Sequence, residues 1–159
     1  AALTDQAARL LVNYRPLLVE AYLPGREFSV GVLGSGPAAE ALEVVEILHS
    51  AASLVDVRGK KAWNPQTFQP VADNALRSEL CALGLRAYRA VGCQAIGRVD
   101  IRMDSAGTPQ LLEINPNPGL HPTRSAMPAL ARLAGLSYTA LIGRVVAQVP
   151  LEPEAGHRV

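Results

Sequence analysis

Two short stretches hold the residues in this sequence whose types and spacing could do chemistry together. In "GRVDIRM", 97–103, Arg98 and Asp100 stand two apart, and in "LLEINPNPGL", 111–120, Glu113 and Asn115 repeat the spacing. Side chains alternate faces along a strand, so each pair shares a face. The runs "AIGRVDIRM", 95–103, and "PQLLEIN", 109–115, flank Asp104-Ser105-Ala106-Gly107-Thr108, whose Asp and Gly are turn formers, and together they read as a hairpin. An even loop, Ser105 to Thr108, sets Asp104 opposite Pro109, Asp100 opposite Glu113 and Arg98 opposite Asn115, so that all four groups converge. An odd loop slips the register and sends the two pairs to opposite faces.

Directly opposed residues lie about 5 Å apart at Cβ. Two carboxylates that close repel unless a cation or proton sits between them. Magnesium suits such a pair, because it takes oxygen ligands, usually one or two carboxylates, and fills its shell with water and phosphate. A third oxygen from Asn115 makes room for a second ion. The plainer reading of the same residues is a solvated hairpin face with cross-strand Arg–Asp contacts. Pro116 and Pro118 push Asn115 and Asn117 into extended backbone, so the chain leaves the strand as a stiff arm. Gly119 then offers a backbone N–H that can approach a ligand oxygen, or is an ordinary turn glycine.

The elements that must position these groups are legible in part. Thr4 is expected to cap a short helix carrying Leu3, Ala7, Leu10, Leu11 and Tyr14, ended by Pro16. Three strand-like runs follow, 16–23, 27–34 and 41–47, as a meander. Residues 48–70 hold no sustained period and read as a long loop with at most one short strand. Asp73 caps a helix through Leu76, Leu80, Leu83, Ala87 and Val91, with Gly92 as its left-handed end. After the hairpin, Met127 to Ala134 reads as a helix closed by Gly135, and Ser137 caps a last amphipathic helix. Hairpin-paired strands with interspersed helices predict an α+β domain with a mostly antiparallel sheet flanked by helices. Residues 1–149 form that domain, and 150–159, polar and proline-containing, form a loose tail.

At 159 residues and 49% hydrophobic content the chain can bury a sizeable core. Fifteen basic against fourteen acidic residues, net charge +1, lack the basic footprint of a nucleic-acid or membrane-surface binder and favour small-molecule or protein partners. No apolar run approaches the roughly 18 residues of a spanning helix, and no signal-peptide pattern opens the chain, so the cytoplasm is expected. Cys81 and Cys93 support neither a zinc site nor a disulfide framework and read as reduced core thiols. His49, His121 and His157 have no matching acid–base partner. The opening "AALTDQAARL" lacks an initiator methionine, the expectation being a piece of a longer protein.

"GRVDIRMDSAGTPQLLEINPNPG", with "LLVEAYLPGREFSVGVLG" upstream and "AMPALARLAGLSYTALI" downstream, resembles the C-terminal half of the ATP-grasp domain of D-alanine–D-alanine ligases. The resemblance runs in order over nearly the whole chain. It implies that Glu20 and the backbone of Tyr22 and Leu23 form an adenine hinge, that Leu112 packs under the base, and that Glu27 accepts the ribose hydroxyls. It implies Asp100, Glu113 and Asn115 as ligands of Mg2+, two ions with Mn2+ as a substitute. Arg98 then grips the reacting carboxylate and developing oxyanion, with the Gly119 N–H beside it. Lys60 or Lys61 takes the place of a lysine on a loop over the phosphates, Lys60 fitting the spacing better.

The chemistry so implied is ATP-dependent carboxylate–amine ligation through an acyl phosphate, giving a D-alanine dipeptide for peptidoglycan, in an enzyme that can be a homodimer. Two departures bear on it. "LHPTRSAMP" differs in length and composition from the usual form where the second substrate's carboxylate binds; Ser125 and Arg124 both suit that task, and D-alanine–D-lactate or another amino-acid ligation stays open. A glycine-rich lid and phosphate-binding lysines, expected upstream, do not precede Ala1, so the isolated chain is expected to bind ATP weakly and to catalyse nothing measurable. A non-catalytic nucleotide- or metal-binding module, or a structural domain with a solvated acidic hairpin, are the readings from other classes.

Overall fold

The computed structural model describes residues 2–48 and 68–148. In chain order the elements are α1 (Ala2–Leu10), β1 (Glu27–Leu33), β2 (Glu40–Ile47), β3 (Phe68–Pro70), α2 (Asn74–Ala90), β4 (Ile96–Met103), β5 (Pro109–Asn115), α3 (Ala126–Leu133) and α4 (Tyr138–Val146). The five strands form one sheet in the order β3-β2-β1-β4-β5, every neighbouring pair antiparallel. The α+β expectation holds.

Local signals explain most boundaries. The Asp73 carboxylate accepts the N–H groups of Ala75 and Leu76 at the start of α2, and Gly92, at φ +69°, turns the chain off its end. Ser137 accepts the Ala140 N–H at 3.1 Å to start α4, and Gly135, at φ +79°, follows α3. The turn between β4 and β5 is built by Asp104, whose Oδ1 accepts the N–H groups of Ala106 and Thr108, each at 2.9 Å. The Thr108 N–H bond, first among these, holds that carboxyl below the usual aspartate range.

The sheet is covered on both faces. One core joins Phe28, Val30 and Val32 of β1 with Val99 and Ile101 of β4 and Leu80 and Tyr88 of α2. Close approach is licensed by two glycines: a Cβ at Gly97 would lie 2.5 Å from the Tyr88 ring, and one at Gly84 would lie 3.0 Å from Val30. Tyr88 donates its hydroxyl to the Gly34 carbonyl at 2.9 Å, and burial pushes its pKa up to about 12. The other core joins Leu33, Val45 and Ile96 with Met127, Leu130 and Ala131 of α3 and Leu141 of α4. Each such fully buried side chain contributes about 1.5–3 kcal/mol relative to exposure.

Two expectations change and a third is met in part. Residues 16–23 form no strand and have no ladder partners among the described residues, and Leu18, Val19 and Tyr22 are exposed. The chain beyond this run pairs at Gly25 and Arg26 with the Met103 backbone, while the run 16–23 itself has strand composition and no ladder. Thr4 lies inside α1 rather than capping it, and the helix stops at Leu10, before Pro16; none of its residues is buried. The short strand expected within 48–70 is β3, at its end; the remainder of that loop lies outside the described residues. Cys93 is buried and Cys81 partly so, both free, and desolvation raises both thiol pKa values.

Candidate nucleotide and metal site

Antiparallel pairing of β1 with β4 fixes the face on which the site stands. Leu33 opposes Ile96, Gly31 opposes Arg98, Ser29 opposes Asp100 and Glu27 opposes Arg102. Opposed residues share a face, so these two strands together grade from apolar, under α3 and α4, to ionic at the open end. A Cβ at Gly31 would meet Leu130 at 3.3 Å, which lets α3 seat on the apolar end.

The hairpin brings the two sequence pairs together by an unexpected route. The connection is odd in length: Met103 opposes Pro109, leaving five residues, 104–108, between the strands. Asp104 therefore does not oppose Pro109. A bulge restores the register, because Ile101 opposes Leu111 while Asp100 opposes Glu113, so that Leu112 has no partner across the ladder. Beyond it Arg98 opposes Asn115 as expected. The residue proposed to lie beneath a base is thus the same one that puts Glu113 and Asn115 on the Asp100 face.

Asp100 is 6% exposed and fully engaged. Its Oδ1 accepts the Ser29 hydroxyl at 2.7 Å and Arg98 Nε at 3.0 Å, and its Oδ2 accepts an Arg98 terminal nitrogen at 2.8 Å. The same nitrogen lies 3.8 Å from Oε1 of the half-exposed Glu113. Arg98 thereby holds positive charge between two opposed carboxylates, which is the condition their proximity demands. Asn115 Oδ1 accepts the Asn117 N–H at 3.1 Å, anchoring the amide where the chain stiffens. Among the described residues no group of three or more His, Cys, Asp and Glu gathers. Two carboxylates and an amide oxygen are hard donors and match the few protein ligands that magnesium takes.

Next to this cluster lies a cavity of about 540 Å3 lined by Glu20, Ala21, Tyr22, Leu23, Arg102, Asp104, Gln110, Leu111 and Leu112. Four expected residues, Glu20, Tyr22, Leu23 and Leu112, therefore line one space, of a size suited to a small ligand. Glu27 stands beside it, its Oε2 3.4 Å from Arg102. Arg102 also donates to the Gly25 carbonyl at 3.3 Å and lies 6.0 Å from the Tyr22 ring centroid, tying the segment that carries Tyr22 to β4.

At the far side, Gly119 is exposed and packs on the loop before α3: a Cβ there would lie 2.8 Å from Ser125 Oγ. That hydroxyl accepts the His121 N–H at 3.0 Å, and Arg124 Nε donates to His121 Nε2 at 3.1 Å. His121 is thus a hub of this loop. Lys60 and Lys61, like His49 and His157, lie outside the described residues. Sequence reasoning missed Ser29 and Arg102. Nothing local marks them, because both matter only through the β1–β4 pairing, which joins segments about seventy residues apart.

Comparison with known proteins agrees with this architecture. The family model described as "D-ala D-ala ligase C-terminus" matches residues 1–147. A D-alanine–D-alanine ligase of Bordetella petrii is 37% identical over 133 residues, covering 83% of this chain and 40% of that protein. The ligase of Cupriavidus taiwanensis is 32% identical over 150 residues, 93% of this chain and 44% of that protein. The chain thus spans less than half the length of these curated relatives. Among solved structures, D-alanine–D-alanine ligase from Bacillus anthracis complexed with ATP aligns with TM-score 0.70 at 21% identity, over 92% of this chain and 45% of that one. The Coxiella burnetii enzyme aligns with TM-score 0.69 at 21% identity, over 92% and 37%. At such identity the structural likeness speaks for the fold, and the family match speaks for kinship: this chain belongs to the D-alanine–D-alanine ligase C-terminal family.

Proposed function

We propose that this chain is the C-terminal part of an ATP-dependent ligase that joins two D-alanines for peptidoglycan synthesis in the cytoplasm. The observation that carries the reading is the bulged hairpin, which opposes Asp100 to Glu113 and Arg98 to Asn115 beside the cavity. In this reading Glu20, the backbone of Tyr22 and Leu23, and Leu112 hold adenine, and Glu27 accepts the ribose hydroxyls. Asp100, Glu113 and Asn115 hold Mg2+, two ions, with Mn2+ able to replace them. When bound, the metal supplies charge screening between the γ-phosphate and the attacking carboxylate.

The γ-phosphoryl group passes from ATP to the carboxylate of the first D-alanine, giving an acyl phosphate. The amine of the second attacks the acyl carbon, and phosphate leaves the tetrahedral intermediate. Arg98 and the Gly119 N–H stabilise the oxyanion of that intermediate, and Lys60 contacts the phosphates from above. Arg98 is suited to this because its guanidinium already bridges toward both carboxylates, so a metal that takes them over leaves it available to substrate. Ser125 and Arg124 receive the second substrate's carboxylate, and the full-length enzyme works as a homodimer. No step needs a covalent nucleophile on the protein.

The test is an ADP-release assay on the full-length protein with a panel of D- and L-amino acids. D-alanine is expected to give the highest turnover, and Asp100→Asn and Glu113→Gln each to abolish it. Unchanged turnover in either variant would remove the metal assignment, and a preference for D-lactate as second substrate would replace the dipeptide product.

A further inference from the structure

Ser29 is a hydroxyl in the middle of a central strand, with apolar neighbours on either side in β1 and none of its surface exposed. Among the described residues only Ser29, Glu43 and Asp100 are polar or charged and buried. Its register partners are Val45 on β2 and Asp100 on β4. Among the described residues its one side-chain bond is the donation to Asp100 Oδ1 at 2.7 Å, the short distance typical of a charge-assisted O–H···O bond. A valine or alanine would pack in such a strand with no polar group to satisfy, so the hydroxyl is explained by its acceptor.

We infer that Ser29 is a positioning residue for the metal site: its hydroxyl locks one oxygen of Asp100 so that the other faces the metal. The inference rests on the reading of Asp100 as a magnesium ligand. Besides Ser29, the other side chain bonded to Asp100 is Arg98, which is one-quarter exposed and is assigned to the reacting carboxylate. Once Arg98 turns to substrate, Ser29 is the side chain that still orients Asp100. Partners of this kind, one bond removed from the metal, fix the direction of a ligand's lone pairs, and removing them typically costs about 10–100-fold in metal affinity.

The experiment is Mn2+ titration by electron paramagnetic resonance on the full-length protein saturated with a non-hydrolysable ATP analogue. Metal-free ADP affinity and thermal melting are measured in parallel. Ser29→Ala and Ser29→Cys are expected to weaken Mn2+ binding about 10–100-fold, while metal-free ADP affinity stays within about threefold, and Ser29→Thr is expected to restore the metal affinity. Asp100→Asn is the control on the underlying reading and is expected to abolish tight Mn2+ binding. Wild-type Mn2+ affinity in Ser29→Ala and Ser29→Cys, with Asp100→Asn impaired, overturns the role of Ser29 alone. Unimpaired binding in Asp100→Asn overturns the metal reading itself. Parallel loss of Mn2+ binding, metal-free ADP binding and melting temperature in both Ser29 variants also overturns the inference, since it makes the hydroxyl a structural element of the fold.

Discussion

The two faces of the sheet are made by the same strands and solve different problems. Against α2, β1 and β4 present Phe28, Val30, Val32, Val99 and Ile101, all inaccessible, and Tyr88 spends its single polar atom on the Gly34 carbonyl. Against α3, the same two strands present Leu33 and Ile96 at one end, then Arg98 beside Gly31, Asp100 beside Ser29 and Arg102 beside Glu27. On the closed face β1 and β4 are apolar throughout and need no ligand to be satisfied. The open face carries opposed charges whose balance depends on internal ion pairs and is available to an incoming cation or anion. A period of two lets one strand do both jobs, because odd and even positions are chemically independent.

Deleting Leu112 is the change with the largest expected effect on the open face. It removes the extra residue of the bulge, so the ladder runs regularly past Ile101 with Glu113 still opposite Asp100, and the cavity loses the side chain proposed to lie beneath the base. A roughly hundredfold weaker metal-free ADP affinity in the full-length protein is expected from fluorescence titration, since a buried leucine side chain contributes about 1.5–3 kcal/mol. An unchanged affinity would remove Leu112 from the base site.

Gly97→Ala acts on the closed face alone. Its Cβ would lie 2.5 Å from the Tyr88 ring, and forcing the ring aside should cost about 1–3 kcal/mol of unfolding free energy in urea titration. Metal-free nucleotide affinity is expected to stay near wild type, since the substitution lies on the other side of the sheet.

Arg102→Ala tests the open face without touching a proposed metal ligand. It removes the contacts to Glu27, the Gly25 carbonyl and Tyr22, so the segment carrying Glu20 to Leu23 loses its tie to β4. A tenfold weaker ADP affinity, about 1.4 kcal/mol, with little change in melting temperature is the expected outcome of fluorescence titration. An unchanged affinity would detach that segment from the nucleotide site.

Tyr88→Phe should give the smallest effect, about 1 kcal/mol from the lost bond to the Gly34 carbonyl. It also has a pH signature. The folded state holds the phenol proton to about pH 12, against an ordinary value of 10.0 in the unfolded chain. The stabilisation is therefore complete below pH 10 and declines as pH rises from there toward 12. Alkaline urea titrations should show that decline in the wild type and a flatter curve in Tyr88→Phe.

Much of this architecture was legible in the residue order where the signal is local. Asp73 and Ser137 announce their helices because capping needs only a side-chain oxygen and the next few N–H groups. The hairpin 95–115 is legible because its two strands alternate about a turn rich in Asp and Gly. The run 16–23 misleads for the converse reason: strand composition describes a residue's fitness for a pleated surface and carries no information on whether another strand pairs with it. The pairing of Asp100 with Glu113 was anticipated with an even loop, and it occurs through an odd loop corrected by a bulge.

The sequence by itself thus determines which chemical groups exist, their spacing along each strand and the family to which they belong, because these are one-dimensional properties. Tertiary structure decided which groups meet. Register between β1 and β4 placed Ser29 on Asp100 and Arg102 on Glu27, and the bulge at Leu112 chose the face of Glu113. Those choices depend on backbone hydrogen bonds between segments far apart in the chain, and a shift of one residue in any of them would have sent the same side chains to the other side of the sheet.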